Sequence, residues 1–206
     1  MSLMDVLTVG RVSVDLYAEE AGVGFEGHQT FSKSVGGSPT NVAVAAARLG
    51  LHAAIATKVG DDGFGTYVRN QLDEWGVDTT YVGTQPGAQT PLALGALDPP
   101  ETPRVAFYRG PEAPDTKLEV SDLPESLIRD CRLLWISQGT LAVGSTAASC
   151  LTWLRQRDRA HHTVLDLDYR EALWPDPAAA RGVAQQAIAL STVVVGNREE
   201  CEVAVG

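Results

Sequence analysis

The 206-residue chain predicts an α/β protein, with a parallel or mixed central sheet flanked by helices and a small β-flap acting as a lid over one end. Two observations carry this. Short apolar runs rich in β-branched residues alternate with helical stretches, the pattern of right-handed βαβ units around a parallel sheet. Two longer extended segments, residues 12–34 and 90–109, break that alternation; they cannot enter a parallel core through short connections, so they are assigned to the flap.

The elements follow in order. Val6–Val9 is a buried-type strand. The first extended segment contains "GVGFEG", Gly22–Gly27, which matches GxGxxG; it follows "LYAEEA" rather than a buried strand and opens no helix, so it is not read as a dinucleotide site. In "SVGGSPTNVAVAAARLG", Ser34–Gly50, Ser38 is a good N-cap, Pro39 fits the first helical position and Gly50 fits the C′ position, predicting a helix from about Pro39 to Leu49. Ala53–Val59 is a strand, followed by a helix near Gly65–Trp75. The second extended segment folds back at "DPPETP", Asp98–Pro103, where three prolines forbid a helix. Strands at Leu133–Ile136, Val164–Leu167 and Val193–Val195 alternate with helices near Thr146–Arg159 and Pro177–Leu190, and "REECEVAVG" begins a final helix.

Composition narrows the function. The formal charge of −10 argues against a nucleic-acid surface and against binding to anionic membranes. The three cysteines, Cys131, Cys150 and Cys201, are widely spaced with no CxxC, which suits a reducing, cytoplasmic setting. No apolar run is long enough to span a bilayer, and no GxxxxGK[ST] motif is present. His161-His162 lack a third ligand at metal spacing and read as a solvated turn. Met1-Ser2-Leu3, ahead of Met4, reads as a cloning leader and is set aside. At this length a 44% hydrophobic chain can bury the core of one domain.

Gly36 and Gly37 stand just before a helix begins. A helix start leaves backbone N–H groups unpaired and concentrates partial positive charge, so hydroxyls or anions can approach where side chains are missing. Asn41, in the first turn, adds a side-chain amide. The alternative is a tight strand-to-helix turn that holds no ligand.

With "VGDDGFG" following at Val59–Gly65, the stretch "GGSPTNVAVAAARLG" resembles the N-terminal signature of the PfkB, or ribokinase-like, carbohydrate kinases. "GRVSVDLY" with Asp15, "FYRGPEAPD", "LDLDYR" and "NREE" extend the resemblance over essentially the whole chain. Within the family these residues most resemble kinases acting on 5-dehydro-2-deoxygluconate in inositol catabolism; 2-dehydro-3-deoxygluconate kinases and fructokinases are the alternatives. The resemblance implies ATP-dependent phosphorylation of a hydroxyl with Mg2+, a fold closed by a lid, possible pairing of two copies through that lid, and sugar contacts from Asp15, Gly36, Gly37, Asn41, Phe107 and Arg109. For Asp15 alone, a strand-end cap or a surface charge is the other reading. A non-catalytic sugar-binding remnant is the alternative from another class.

A keto-sugar acid also carries a carboxylate, and Arg109 and Arg170 are the candidates to meet it, because a guanidinium pairs with carboxylate in a bidentate fork. Each arginine has an alternative in a salt bridge, with Asp115 or Asp168. Asp166 and Asp168 share one strand face; Asp168 stands where relatives of the motif usually carry asparagine, and it is read as orienting Arg170. Asn197 and Glu200, three apart at a helix start, are implied by the resemblance to organise magnesium and nucleotide phosphates through water, with no direct metal ligand; a plain helix-face charge is the alternative for Glu200. The family's Gly-Ala-Gly-Asp motif, which carries the catalytic base and an anion hole, has no match here. The expectation is therefore that residues 4–206 form the N-terminal part of a longer kinase domain, with the base and most of the ATP site beyond Gly206. A parallel sheet ending there leaves an edge strand exposed.

Overall fold

The computed structural model describes residues 3–206, so Met1 and Ser2, part of the stretch expected to be a leader, lie outside the described residues. The chain runs β1 (Val6–Val9), β2 (Ser13–Ala21), β3 (Phe31–Gly36), α1 (Ser38–Arg48), β4 (Ala53–Gly60), α2 (Gly63–Glu74), β5 (Val82–Gln85), β6 (Leu92–Leu97), β7 (Arg104–Tyr108), α3 (Glu125–Asp130), β8 (Leu133–Ser137), α4 (Gly144–Arg157), β9 (His162–Asp166), α5 (Pro177–Ala189), β10 (Val193–Val195) and α6 (Arg198–Val205).

Six strands form one sheet in the order β10-β9-β8-β1-β4-β5, with every pairing parallel. The chain leaves β1 through β4 and β5, then returns on the other side through β8, β9 and β10. This reversal beside β1 is the switch point at whose carboxyl edge open α/β sheets bind ligands. Helices cover both faces, which is why the central strands read as unbroken apolar runs. Leu7, Val9, Leu134 and Ile136 pack with Cys150, Trp153 and Leu154 of α4. Ala43 of α1 meets Ile55, Val68 and Leu72 in a second cluster, and Ala46 packs with Val6 and Ala53. Each fully buried Leu or Ile contributes about 1.5–3 kcal/mol relative to exposure.

The flap is a separate four-stranded sheet in the order β3-β2-β6-β7. Its outer pairs are antiparallel, and β2 and β6 run parallel at its centre. Register places Ser34, Asp15, Ala93 and Phe107 in one cross-strand row, and Tyr17, Gly95 and Val105 in another. Because the two rows are two residues apart along each strand, they share one face of the lid.

The predicted elements appear with shifted ends. α2 begins at Gly63, because Asp62 rather than a later residue caps it by accepting from the Gly65 N–H. α4 ends at Arg157, where Asp158 and Arg159 turn left-handed. β9 begins at His162, so only His161 belongs to the turn. Ser38 is not the N-cap of α1: Gly37 holds that position and Ser38 is the first helical residue, its hydroxyl committed elsewhere. Gly50 does follow the helix in a left-handed conformation, with φ of 82°. β5 and α3 were not anticipated. "VGTQ" is short and interrupted by glycine, and six residues of "ESLIRD" are too few to display a helical period. β10 forms one edge of the sheet, and its three valines are exposed.

Candidate active site

A cavity of about 370 Å3 lies between the lid and the carboxyl edge of the parallel sheet. Three groups of residues converge on it: Arg11 after β1, Gly37, Ser38 and Asn41 at the start of α1, and Asp168 and Arg170 after β9. The lid contributes Asp15, Tyr17, Val105 and Phe107 from its shared face, with Arg109 at its root. A larger open groove of about 1120 Å3 lies against Lys33, Leu92 and Tyr108 on the lid's other face. The smaller cavity is the candidate site, because it sits at the switch point and gathers the charged groups.

Asp15 is held in place by its neighbours on β2: Ser13 Oγ donates to its Oδ1 at 2.6 Å and the Tyr17 hydroxyl donates to its Oδ2 at 3.3 Å. The carboxylate also explains Gly36, where a Cβ would come within 2.0 Å of Asp15 Oδ2. Gly37 has φ of 114°, and a Cβ there would lie 2.3 Å from the Arg11 carbonyl oxygen. Gly37 is therefore required by the chain's own packing, beyond any need of a ligand, whereas a side chain at position 36 would have to displace the Asp15 carboxylate. Asn41 lines the cavity, while its backbone N–H is spent on the Gly37 carbonyl. Phe107 is 65% exposed on the lid's cavity side.

Arg109 meets Asp115 through both terminal nitrogens, at 2.8 and 2.6 Å. Asp115 is buried and also accepts from the Val12 N–H at 3.1 Å. It thus ties the end of β7 to the start of β2, fastening both roots of the lid to the core.

Asp168, also buried, bridges two arginines. Its Oδ1 accepts from Arg170 Nη2 at 2.6 Å and its Oδ2 accepts from Arg11 Nη2 at 2.9 Å. Burial lowers the Arg11 pKa, with Arg109 and Arg170 adding repulsion and Asp168 and Asp115 opposing it. Asp166 accepts from Ser38 Oγ at 2.6 Å. Burial pushes its carboxyl above the usual range; the charges of Asp168 and Glu200 add to the shift and the Ser38 hydrogen bond opposes it.

Asn197 and Glu200 form a reciprocal capping box at the start of α6. Asn197 Oδ1 accepts from the Glu200 N–H at 2.9 Å, and Glu200 Oε2 accepts from the Asn197 N–H at 2.8 Å. They lie outside the cavity lining, although the charge of Glu200 reaches Asp166. Among the described residues, no three His, Cys, Asp or Glu side chains converge as a direct metal site.

An open parallel sheet with a cavity lined by charged side chains at its switch point, roofed by a β-lid from the same chain, is the architecture of the ribokinase-like fold. The chain belongs to the pfkB family of carbohydrate kinases, whose profile matches residues 4–206. It is 36% identical over 200 residues to the 5-dehydro-2-deoxygluconokinase of Geobacillus kaustophilus, an alignment covering 96% of this chain and 59% of that protein. Among solved structures, the fructokinase of Xylella fastidiosa with bound ATP superposes with a TM-score of 0.83 at 27% identity, over 97% of this chain and 60% of the other. The 2-dehydro-3-deoxygluconokinase of Thermotoga maritima superposes at 0.88 with 21% identity, over 98% and 62%, which shows the shared fold.

Of the residues expected from sequence, Asp15, Gly37, Asn41, Phe107, Arg109 and Arg170 line one cavity, Gly36 adjoins it, and Asn197 and Glu200 stand apart. Sequence reasoning missed Arg11, Ser13, Tyr17 and the role of Ser38. Arg11 had one legible signal, a cation immediately after a buried strand that ends in glycine. The alternation in "SVDLY" places Ser13 and Tyr17 on the face of Asp15 and gives a signal for both.

Proposed function

We propose that the protein of which these residues form part is an ATP-dependent sugar kinase that phosphorylates a hydroxyl of a keto-sugar acid, 5-dehydro-2-deoxygluconate being the first choice. The observation that carries this reading is the meeting, in one lidded cavity, of a hydroxyl-reading carboxylate with several arginines. Asp15, pre-set by Ser13 and Tyr17, accepts from neighbouring sugar hydroxyls, and the Asn41 amide supplies both a donor and an acceptor. Arg170 is assigned to the substrate carboxylate, while Arg109, whose fork is filled by Asp115, takes the salt-bridge alternative and anchors the lid root. The exposed Phe107 and Tyr17 cover the sugar when the lid closes and keep water from the transferred phosphoryl group.

ATP and Mg2+ are assigned to the α6 side. Oxygen donors suit magnesium, which retains water and reaches protein through it, so Glu200 is assigned to magnesium-bound water and Asn197 to positioning Glu200. The chemistry supplied is charge neutralisation on the phosphates. Of the two aspartates that line the cavity, Asp15 is bonded to the Ser13 and Tyr17 hydroxyls and Asp168 to two guanidinium groups; neither is assigned as the catalytic base, which is assigned to a part of the protein outside residues 3–206. The lid's exposed apolar side chains support pairing of two copies through it, and a cytoplasmic location fits the free cysteines.

Steady-state kinetics on the full-length protein with Arg170→Lys tests the reading. A charge-assisted hydrogen bond contributes roughly 1.5–3 kcal/mol, so kcat/KM for the keto acid falls on the order of tenfold to a hundredfold while that for a neutral sugar holds. Equal losses on both substrates assign Arg170 to structure and overturn this part of the reading.

A further inference from the structure

We infer that Arg11 is a further specificity-determining residue, its guanidinium receiving the substrate carboxylate beside Arg170 while Asp168 holds the two cations together. The inference rests on the reading of the substrate as a sugar acid.

Three arginines line the cavity, and they are not equally committed. Arg109 has both terminal nitrogens on Asp115 in a buried bidentate pair, so its fork is already filled. Arg11 and Arg170 share the single carboxylate of Asp168, one on each oxygen. Arg11 donates only through Nη2; its Nε is buried without a partner, shut over Gly139, and among the described residues Nη1 has no hydrogen-bond partner. A guanidinium carries five donors and cannot be neutralised at ordinary pH, so one hydrogen bond in a largely buried setting leaves it undersatisfied.

The partners lead to the same place. Arg11 and Arg170 share the one carboxylate of Asp168, while Asp115 is filled by Arg109. Of the other nearby acids, Asp15 is bonded to the Ser13 and Tyr17 hydroxyls and Asp166 to Ser38, so neither is hydrogen-bonded to Arg11. A largely buried guanidinium with one hydrogen bond gains from a further acceptor. Arg11 lines the cavity directly after β1, with 17% of its side chain accessible, and Arg170 converges from the neighbouring β9 loop. A carboxylate placed between them bonds both cations without breaking the Asp168 bridge.

The test is calorimetric binding of 5-dehydro-2-deoxygluconate and of its methyl ester to the full-length protein, for wild type, Arg11→Lys and Arg11→Gln, with a thermal melt of each. The expected result is that wild type prefers the acid, and that Arg11→Lys weakens acid binding on the order of tenfold or more while ester binding changes less than about twofold. Arg11→Gln is expected to remove most of the remaining preference. A wild type that binds acid and ester alike overturns the sugar-acid reading and this inference with it. A wild type that prefers the acid while both variants keep that preference overturns the assignment to Arg11 alone. If the variants melt too low to assay, the 15N guanidinium resonances of the wild type decide: the Arg11 signal, assigned through its own backbone and side-chain connectivities, should shift with the acid and stay with the ester, and no such shift overturns the inference.

Discussion

Ser38, the first residue of α1, donates from Oγ to Oδ2 of Asp166 at the end of β9 across 2.6 Å, joining residues 128 positions apart. The contact fixes the start of the glycine-led helix against the edge where Asp168 and Arg170 emerge. It also sets a pH dependence. Asp166 has a folded-state pKa above its ordinary value of 3.8, so the folded protein holds a proton there that the unfolded chain releases. Stability therefore falls as pH rises from the ordinary carboxylate value through the raised one. Asp166→Asn should flatten that portion of a melting-temperature profile, and Ser38→Ala, which removes the lowering contact, should extend it to higher pH. A profile identical in both variants and wild type would contradict the assignment.

Asp115 predicts a loss of stability. Removing it strands the largely buried Arg109 and the Val12 N–H at the root of the lid. Breaking a buried pair from one side costs about 3–5 kcal/mol, so Asp115→Ala should lower the unfolding free energy from denaturant titration by that amount, with Arg109→Met, Asp115→Ala together recovering part of it. A single variant as stable as wild type would remove Asp115 from the lid anchor.

Gly37 predicts combined loss of fold and affinity. The positive φ and the 2.3 Å approach to the Arg11 carbonyl mean that Gly37→Val strains the backbone as well as obstructing the cavity. Strain of this kind costs about 1–3 kcal/mol, so both the melt and sugar titration should suffer. Gly36→Ala should act through Asp15, whose carboxylate has no room beside a methyl group, and show its main effect in sugar affinity.

The capping box separates two roles of Glu200. Asn197→Ala removes a cap and should cost about 1 kcal/mol. Glutamine still accepts in a capping box, so Glu200→Gln should leave the melt unchanged while raising the magnesium concentration needed for half-maximal turnover of the full-length protein. An unchanged magnesium dependence would leave Glu200 as a helix cap.

The fold was legible where burial is complete. Strands such as β1 and β4, covered on both faces, show as apolar runs, and "DPPETP" marked the turn between two lid strands through backbone chemistry alone. The α1 boundaries were legible from glycine and proline, yet Ser38 was misassigned, because a serine before a helix suits a cap and nothing local reveals a partner at Asp166. The two glycines at 36 and 37 announced a crowded turn but not what crowds it, since Asp15 and the Arg11 carbonyl reach them only through sheet register. Arg170 and Arg109 were found because motifs carried them. Arg11 was passed over because its significance lies in sharing Asp168, a relation that appears only when β1 and β9 are brought to one edge.

Selectivity for a sugar acid over a neutral sugar is tested most directly by turnover of a substrate series. A coupled assay of ADP release by the full-length protein, with ATP and magnesium saturating, should give the highest kcat/KM on 5-dehydro-2-deoxygluconate, with 2-dehydro-3-deoxygluconate lower and fructose lowest by on the order of a hundredfold, the contribution expected from one charge-assisted pair. Equal or better turnover of fructose would contradict it.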